Sequence, residues 1–377
     1  MKKTLLATAI AGALGASAAA QAATVYDQDG TKVDLYGRIA MGISGGGPEE
    51  QDGEAKSTGT EFKDVYSRLR LSGSHQLTSD LSAFASVEWR FRGDERDQSD
   101  GFREVRHSFL GLRSDQFGTI QAGSFDSFYN TFVAAPFDVY LDRGLELSAG
   151  QGGDLQARGD SLGYFTPDLS GFQAFIMTKH YTGNGQVAGS DGSNSSELNT
   201  QGGVKYEWGG LRLAAGFAQD RDDRALSGDG DTRHNYTGRD RRGADENIYG
   251  ATASYAFNDN FSARLGYETQ DTNDGAIDAG GDVEQYSGYD TWGLGASYSL
   301  GAWAFHADVY RVDLDNAEEE RIAWAAGAYY KVSSNFDVFG ELHRADQGDI
   351  TVSTDDGVEV DENDDSVYWL VGARYHF

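Results

Sequence analysis

The chain has 377 residues, with 60 acidic side chains against 31 basic ones and a formal net charge of -29. That balance excludes a nucleic-acid partner, and the absence of cysteine excludes a disulfide framework and a thiolate metal site. Three prolines against fifty glycines, twenty phenylalanines, twenty tyrosines and six tryptophans suit a long sheet with flexible connections rather than a helical protein. The acidity is also compatible with a salt-rich habitat, where self-repulsion is screened.

In chain order, Met1-Lys2-Lys3 forms a basic start, Thr4 to Ala20 is almost wholly apolar, and Ala20-Gln21-Ala22 has the small-x-small form of a cleavage site. Residues 1–22 therefore read as a secretory signal peptide, with Ala23 as the mature N-terminus. Beyond it no apolar run approaches the length of a membrane helix, and the mean hydropathy is -0.54. A chain of this kind can span a membrane only as a closed barrel, in which every backbone polar group is paired.

The rest of the chain, 23–377, reads as one domain with strict two-residue periodicity. Val33, Leu35, Gly37, Ile39 and Met41 alternate with Asp34, Tyr36, Arg38 and Ala40. Val65, Ser67, Leu69 and Leu71 alternate with Tyr66, Arg68 and Arg70, and Val87, Trp89 and Phe91 alternate with Glu88, Arg90 and Arg92. The pattern recurs at 249–257, 292–300, 303–309 and 322–330, in segments of about ten residues, the length a tilted strand needs to cross a bilayer.

Seven connections are tight: Leu77–Leu81, Ser114–Gly118, Thr166–Ser170, Gly209–Gly210, Asn258–Asn260, Gly301 and Ser333–Asn335. Eight are long and mostly polar, near 44–63, 93–102, 124–154, 183–199, 220–246, 271–287, 313–320 and 345–365. The two kinds alternate, which predicts a 16-stranded antiparallel transmembrane β-barrel, all-β, with short periplasmic turns and long extracellular loops. Aromatics next to the turns, among them Trp208, Phe257, Phe261, Trp303 and Phe336, suit the membrane–water interface.

The third long connection is too apolar for a solvated loop. It carries Phe125, Phe128, Tyr129, Phe132, Val133, Phe137, Val139, Tyr140, Leu141, Leu145 and Leu147, and it is expected to fold into the lumen and pack on the wall. Its acids Asp138, Asp142 and Glu146 recur every fourth residue, which a short helical turn would bring to one side. Arg38, Arg68, Arg70, Arg106 and Arg158 lie in the first six expected strands and by alternation mostly point inward. The last strand ends the chain on Tyr375-His376-Phe377, with Val367, Trp369, Val371, Ala373, Tyr375 and Phe377 on one face and Arg374 and His376 on the other. It is expected to pair with the first strand, near Val33 to Ile43, so that no edge is left open.

These segments resemble those of the Gram-negative general diffusion porins. Asp29 to Arg38 resembles the family's first strand, Tyr66-Ser-Arg68-Leu its second, Arg106-His-Ser-Phe-Leu-Gly-Leu112 its fourth, Phe117 to Gly123 the entry to its constriction loop, and Arg158 to Tyr164 its sixth. The resemblance implies a homotrimeric outer-membrane channel for ions and small hydrophilic solutes, with no cofactor and no enzymatic activity. It also implies a basic constriction wall of Arg38, Arg68, Arg106 and Arg158 facing the loop acids Asp138 and Asp142, with Glu146 as a third member. Tyr375 and Phe377 would be the signal read by the barrel-assembly machinery. The Pro-Glu-Phe-Gly-Gly stretch of the family's loop is replaced here by Ala134 to Asp142.

Acids facing bases across an eyelet set up a transverse field. One pair at ~7 Å in water is worth about 0.6 kcal/mol, too little to collapse the eyelet, yet several such pairs orient dipolar solutes. Competing readings are a sugar- or phosphate-selective channel on the same scaffold, an outer-membrane barrel enzyme and a secreted acidic β-protein. Asp229-Gly-Asp231 reads as a solvated acidic loop ahead of a calcium site, and Arg239 to Arg242 as solvated loop charge ahead of a lipopolysaccharide contact, so no metal site is expected; outer-membrane lipid and lipopolysaccharide are expected to surround the barrel.

Overall fold

Alternation over ten residues gives a strand two unlike faces, and sixteen such strands satisfy one another only by closing. The computed structural model describes residues 22–47, 50–51, 54–55, 59–94, 104–147, 159–181, 197–219, 247–271, 288–314, 320–345, 347–353, 359–364 and 367–377. Residues 1–21, Arg158, Asp229 to Asp231 and Arg239 to Arg242 lie outside these. The strands are β1 (Thr31–Gly45), β2 in two pieces (Glu61–Asp64 and Arg68–Gln76), β3 (Leu81–Arg90), β4 (Glu104–Ser114), β5 (Gly118–Ser124), β6 (Ser161–Phe165), β7 (Phe172–Tyr181) and β8 (Glu197–Trp208). They continue as β9 (Leu211–Gln219), β10 (Asn247–Ala256), β11 (Phe261–Gln270), β12 (Tyr289–Leu300), β13 (Trp303–Leu314), β14 (Arg321–Lys331), β15 (Phe336–Ala345) and β16 (Tyr368–His376).

Each strand pairs antiparallel with the next, and β16 pairs with β1 to close a 16-stranded barrel. Two short hairpins, Glu50–Gln51 with Glu54–Ala55 and Gln347–Ser353 with Glu359–Asp364, lie within long connections. The tight turns fall where the sequence put them.

The amphipathy is that of a membrane barrel, apolar outside and polar inside. Ile39, Leu110, Ile176, Val204, Leu265, Trp292, Leu294 and Val371 are exposed on the outer face, while Glu88, Lys179, Gln201, Arg264, Glu268, Asp308, Glu341 and Arg374 are buried on the inner one. A soluble monomer does not expose a continuous apolar belt of this extent. Trp208, Phe257, Phe261, Trp303, Phe336 and Phe377 are exposed at the short-turn end, where amphipathic and aromatic rings favour the interface.

Closure differs in one respect from the sequence expectation. β16 meets β1 over Arg38 to Gly45 rather than from Val33, because residues 31–35 of that edge are taken by an additional strand, Ala23–Gln28. Asp29 (φ 53) and Gly30 (φ 74) make the connecting turn. Both are left-handed, as a two-residue hairpin whose twist matches its strands requires. The Asp-Gly pair is therefore the signal in the sequence that betrays this strand.

At the C-terminus, the Gly37 amide donates to the Phe377 carbonyl at 2.7 Å and the Phe377 amide donates to the Gly37 carbonyl at 2.9 Å. The Phe377 ring lies against Gly37 so closely that a Cβ there would collide with it. Tyr375 faces outward, and Arg374 and His376 face the lumen, buried against Asp337.

Candidate functional site: the lumen and its inward loop

The loop leaving β5 enters the barrel and is held along the inner wall from β4 round to β2. Its first half packs by aromatic contact: Phe125, Phe128 and Phe132 meet Phe109, Phe165 and Phe175, with Phe132 and Phe175 stacked at 4.7 Å. A short helical stretch, Asn130–Ala134, follows. The wall is cut away to receive it. A Cβ at Gly250 would collide with the Tyr129 hydroxyl, and one at Gly266 with Leu147 and Phe137. These two wall positions tolerate no side chain because the loop occupies that space.

Polar groups of the wall then take the loop's hydrogen bonds one by one, as buried polar groups require. Gln201 accepts from Ser127 Oγ (2.7 Å) and the Tyr129 amide (3.0 Å), while Arg212 and Thr252 donate to the carbonyls of Phe132 and Val133, each at 2.6 Å. Tyr129 donates to Glu268 at 2.8 Å and Tyr140 donates to Asp308 at 2.6 Å. Burial, reinforced by these carboxylates, pushes both phenols above their ordinary pKa, so they remain donors.

The acids do not share one side of a helical turn. From Asp138 onward the loop is extended and bent, because the amides of Leu141 and Asp142 donate to the Glu341 carboxylate on β15 (2.7 and 3.3 Å) instead of to carbonyls of their own segment. Asp138 is exposed on the inward loop. Asp142 is held by Lys63 (2.7 Å) and by the Tyr66 hydroxyl (3.3 Å), which returns the loop to the edge of the arginine-bearing strands. Glu146 is buried apart from both, between Arg321 (2.7 Å) and His343 (3.3 Å). Burial acts to raise its pKa, but the His343 hydrogen bond and the Arg321 charge outweigh it and hold the carboxyl below its ordinary value.

The structure brings Arg38, Arg68, Arg70 and Arg106 onto one stretch of lumen wall. Arg38 is buried and donates to the carbonyls of Tyr66 (2.8 Å) and Val65 (3.4 Å), bracing the break in β2 where Tyr66 has φ 60. The other three converge on Glu88 of β3, whose side chain is 0% exposed. Arg70 Nε lies 2.8 Å from one of its oxygens; Arg106 Nη1 and Arg68 Nη1 lie 2.9 and 3.4 Å from the other.

A β-bulge makes this possible. Glu88 is opposite His107 while Trp89 is opposite Val105, so Arg106 is the extra residue, and consecutive residues Arg106 and His107 both reach the lumen. Both also grip Asp126 at the root of the loop, Arg106 with two 3.0 Å bonds and His107 at 2.9 Å. Sequence alternation locates the arginines and the face of Glu88, but not the convergence of the arginines on it, nor Asp126. Glu88 has the inward phase of β3 and sits across from Arg70, a pairing visible only once the register is known.

A closed barrel with an apolar belt, a polar lumen and a loop folded into that lumen is a transmembrane channel. A family model described as Gram-negative porin matches residues 7–377, and the chain belongs to that family. Relatives include a monosaccharide porin of Halomonas sp. and the major outer membrane protein of Halomonas elongata, each 29% identical over all of this chain and 91% of its own length. The outer membrane porin PhoE of Escherichia coli is 26% identical over 59% of this chain and 61% of its own. Among solved structures, the anion-selective porin of Comamonas acidovorans superimposes with a TM-score of 0.66 at 21% identity, covering 92% of this chain and all of its own. OmpF of Salmonella typhi gives 0.66 at 18%, covering 94% and 100%. The protein is a channel of the outer membrane for passive diffusion, not an enzyme.

Proposed function

We propose that the channel is a general diffusion porin whose constriction is charged and asymmetric, passing ions and small hydrophilic solutes. The observation that supports this best is the division of the lumen. The inward loop covers the wall of β6 to β15, while Arg68, Arg70 and Arg106 remain partly exposed on the wall it leaves open. Asp138 and Asp142 supply acid on the loop's side, and Arg158 belongs with the basic wall by its place in the sequence. Glu146 serves as an anchor rather than a pore charge, because its carboxylate is turned to Arg321. The reading extends to a homotrimer, a surround of lipid and lipopolysaccharide, export by cleavage of residues 1–22 and assembly through Tyr375 and Phe377.

The net charge of -29, which becomes -31 once cleavage removes Lys2 and Lys3, gives the pore an acidic character felt at long range and the arginines a basic one felt at contact. At ~0.01 M salt the Debye length is about 30 Å, and at ~1 M about 3 Å. Bilayer reversal potentials should therefore favour cations at low salt, with the preference fading at high salt. Anion preference at low salt would refute this charge assignment, and a folded protein without conductance would refute the channel itself.

A sugar-selective variant of this reading is favoured by the full-length match to a monosaccharide porin. Saturable block of ion current by monosaccharides separates it from unselective diffusion.

A further inference from the structure

Glu88 is held as a bound anion would be. Its two oxygens are reached by guanidinium nitrogens of three arginines from three places: Arg70 through both Nε (2.8 Å) and Nη2 (2.5 Å), Arg106 at 2.9 Å and Arg68 at 3.4 Å. The His107 ring stands 3.9 Å away. A planar fork of donors closing on two oxygens is the geometry by which arginine recognises carboxylate and phosphate. Arg68 and Arg70 retain 20% and 33% of their side-chain exposure, so the cluster is open to the lumen on one side. Glu88 has none.

We infer that Glu88 is the resident occupant of an oxyanion site, filling with its own carboxylate a cluster that would otherwise retain polyvalent oxyanions such as inorganic phosphate. A conducting path needs sites that ions enter and leave readily. Three convergent arginines without an acid make a trap, and with Glu88 they make a positive but already satisfied wall. Asp126 bonds Arg106 and His107, whereas Arg68 and Arg70 end on Glu88. The vacated site would therefore be formed chiefly by Arg68 and Arg70, with Arg106 behind them. The inference rests on the proposal that the arginine wall borders the ion path.

The test is single-channel current of the full-length protein in planar bilayers at fixed KCl while inorganic phosphate is titrated, for the wild type and for Glu88→Gln, Glu88→Ala and Glu88→Asp. Glu88→Gln keeps the size of the side chain and serves if the alanine variant does not fold. In the neutral variants, phosphate should block the current at concentrations at least about tenfold lower than in the wild type, a shift of ~1.4 kcal/mol. Glu88→Asp should behave nearly as the wild type. Adding Arg70→Gln to Glu88→Gln should remove the block. A merely structural acid would give none of this, only lower stability.

If neutral variants shift the reversal potential toward anions without phosphate block, the wall borders the path but Glu88 is not an occupant, and the inference falls alone. If neither property changes in a folded variant, the charged-constriction reading falls with it. Block of the wild type as strong as that of the variants also overturns the inference and needs no substitution to detect.

Discussion

Glu146→Gln removes one charge from the inward loop and leaves the space filled. In the wild type this carboxylate is buried between Arg321 and His343, and Arg321, itself 5% exposed, has Nε and Nη1 without a hydrogen-bond partner among the described residues. Glu146 is thus the acceptor that makes a buried guanidinium tolerable. Breaking such a pair from one side costs about 3–5 kcal/mol, which here falls on the seating of the loop's last limb rather than on the barrel, whose ladders are untouched. At 1.4 kcal/mol per tenfold, detached conformations gain roughly two to three and a half orders of magnitude in population. Single-channel records should change from steady conductance to frequent partial closures, with little change in barrel melting. A quiet record from Glu146→Gln would refute the claim that this pair seats the loop. The double variant Glu146→Leu with Arg321→Met should restore quiet, because an apolar pair has no charge to leave stranded.

Other outcomes follow from the same geometry. Because the folded-state pKa of Glu146 lies below its ordinary value of 4.5, its contribution is complete above that value and is lost as pH falls through the depressed one. Channel noise should therefore stay flat from neutral pH to about pH 5 and rise only under stronger acid; onset near neutrality would point to another group. Neutralising Asp138 and Asp142 together should reduce cation preference, in part because Lys63 loses its partner, and unchanged reversal potentials would remove both from the ion path. Gly250→Leu forces Tyr129 out of its seat at a cost of about 1–3 kcal/mol, to be read as faster proteolytic nicking between 125 and 147. Deleting Phe377 removes its bonds to Gly37 and the ring that covers it, and should lower the folded fraction far more than the conductance of the channels that form. Normal membrane levels of the truncated chain would undo that expectation.

The strands were legible because lipid on one side and water on the other impose an alternation that nothing else overrides. Leu294 and Val371 had to face out, and Arg374 and His376 had to face in. The loop's entry to the lumen was legible from its phenylalanines. What was not legible depends on partners distant in sequence. Asp138, Asp142 and Glu146 have helical spacing, but Glu341, about two hundred residues away, takes the amides of Leu141 and Asp142 and draws the segment out. Arg106 and His107 both face the lumen only because of a bulge, and the position of a bulge is fixed by the neighbouring strand. Glu88 read as one inward acid among several until register placed three arginines around it. The strand Ala23–Gln28 was a different kind of omission, since its Asp-Gly turn stood in the sequence.

That strand bears on the connectivity of the whole molecule. It runs in the same direction as β16 along the same edge of β1, with Ala23 opposite Leu35 and Phe377 bonded to Gly37. Only the place opposite Tyr36 separates the two. The beginning and end of the barrel are thus successive portions of one strand line, interrupted by a single missing residue. Topologically the barrel is close to a ring, because its first and last strand segments meet β1 along one line. A bridge of one residue between Phe377 and Ala23 would continue β16 directly into that strand and leave every ladder of the cylinder in place.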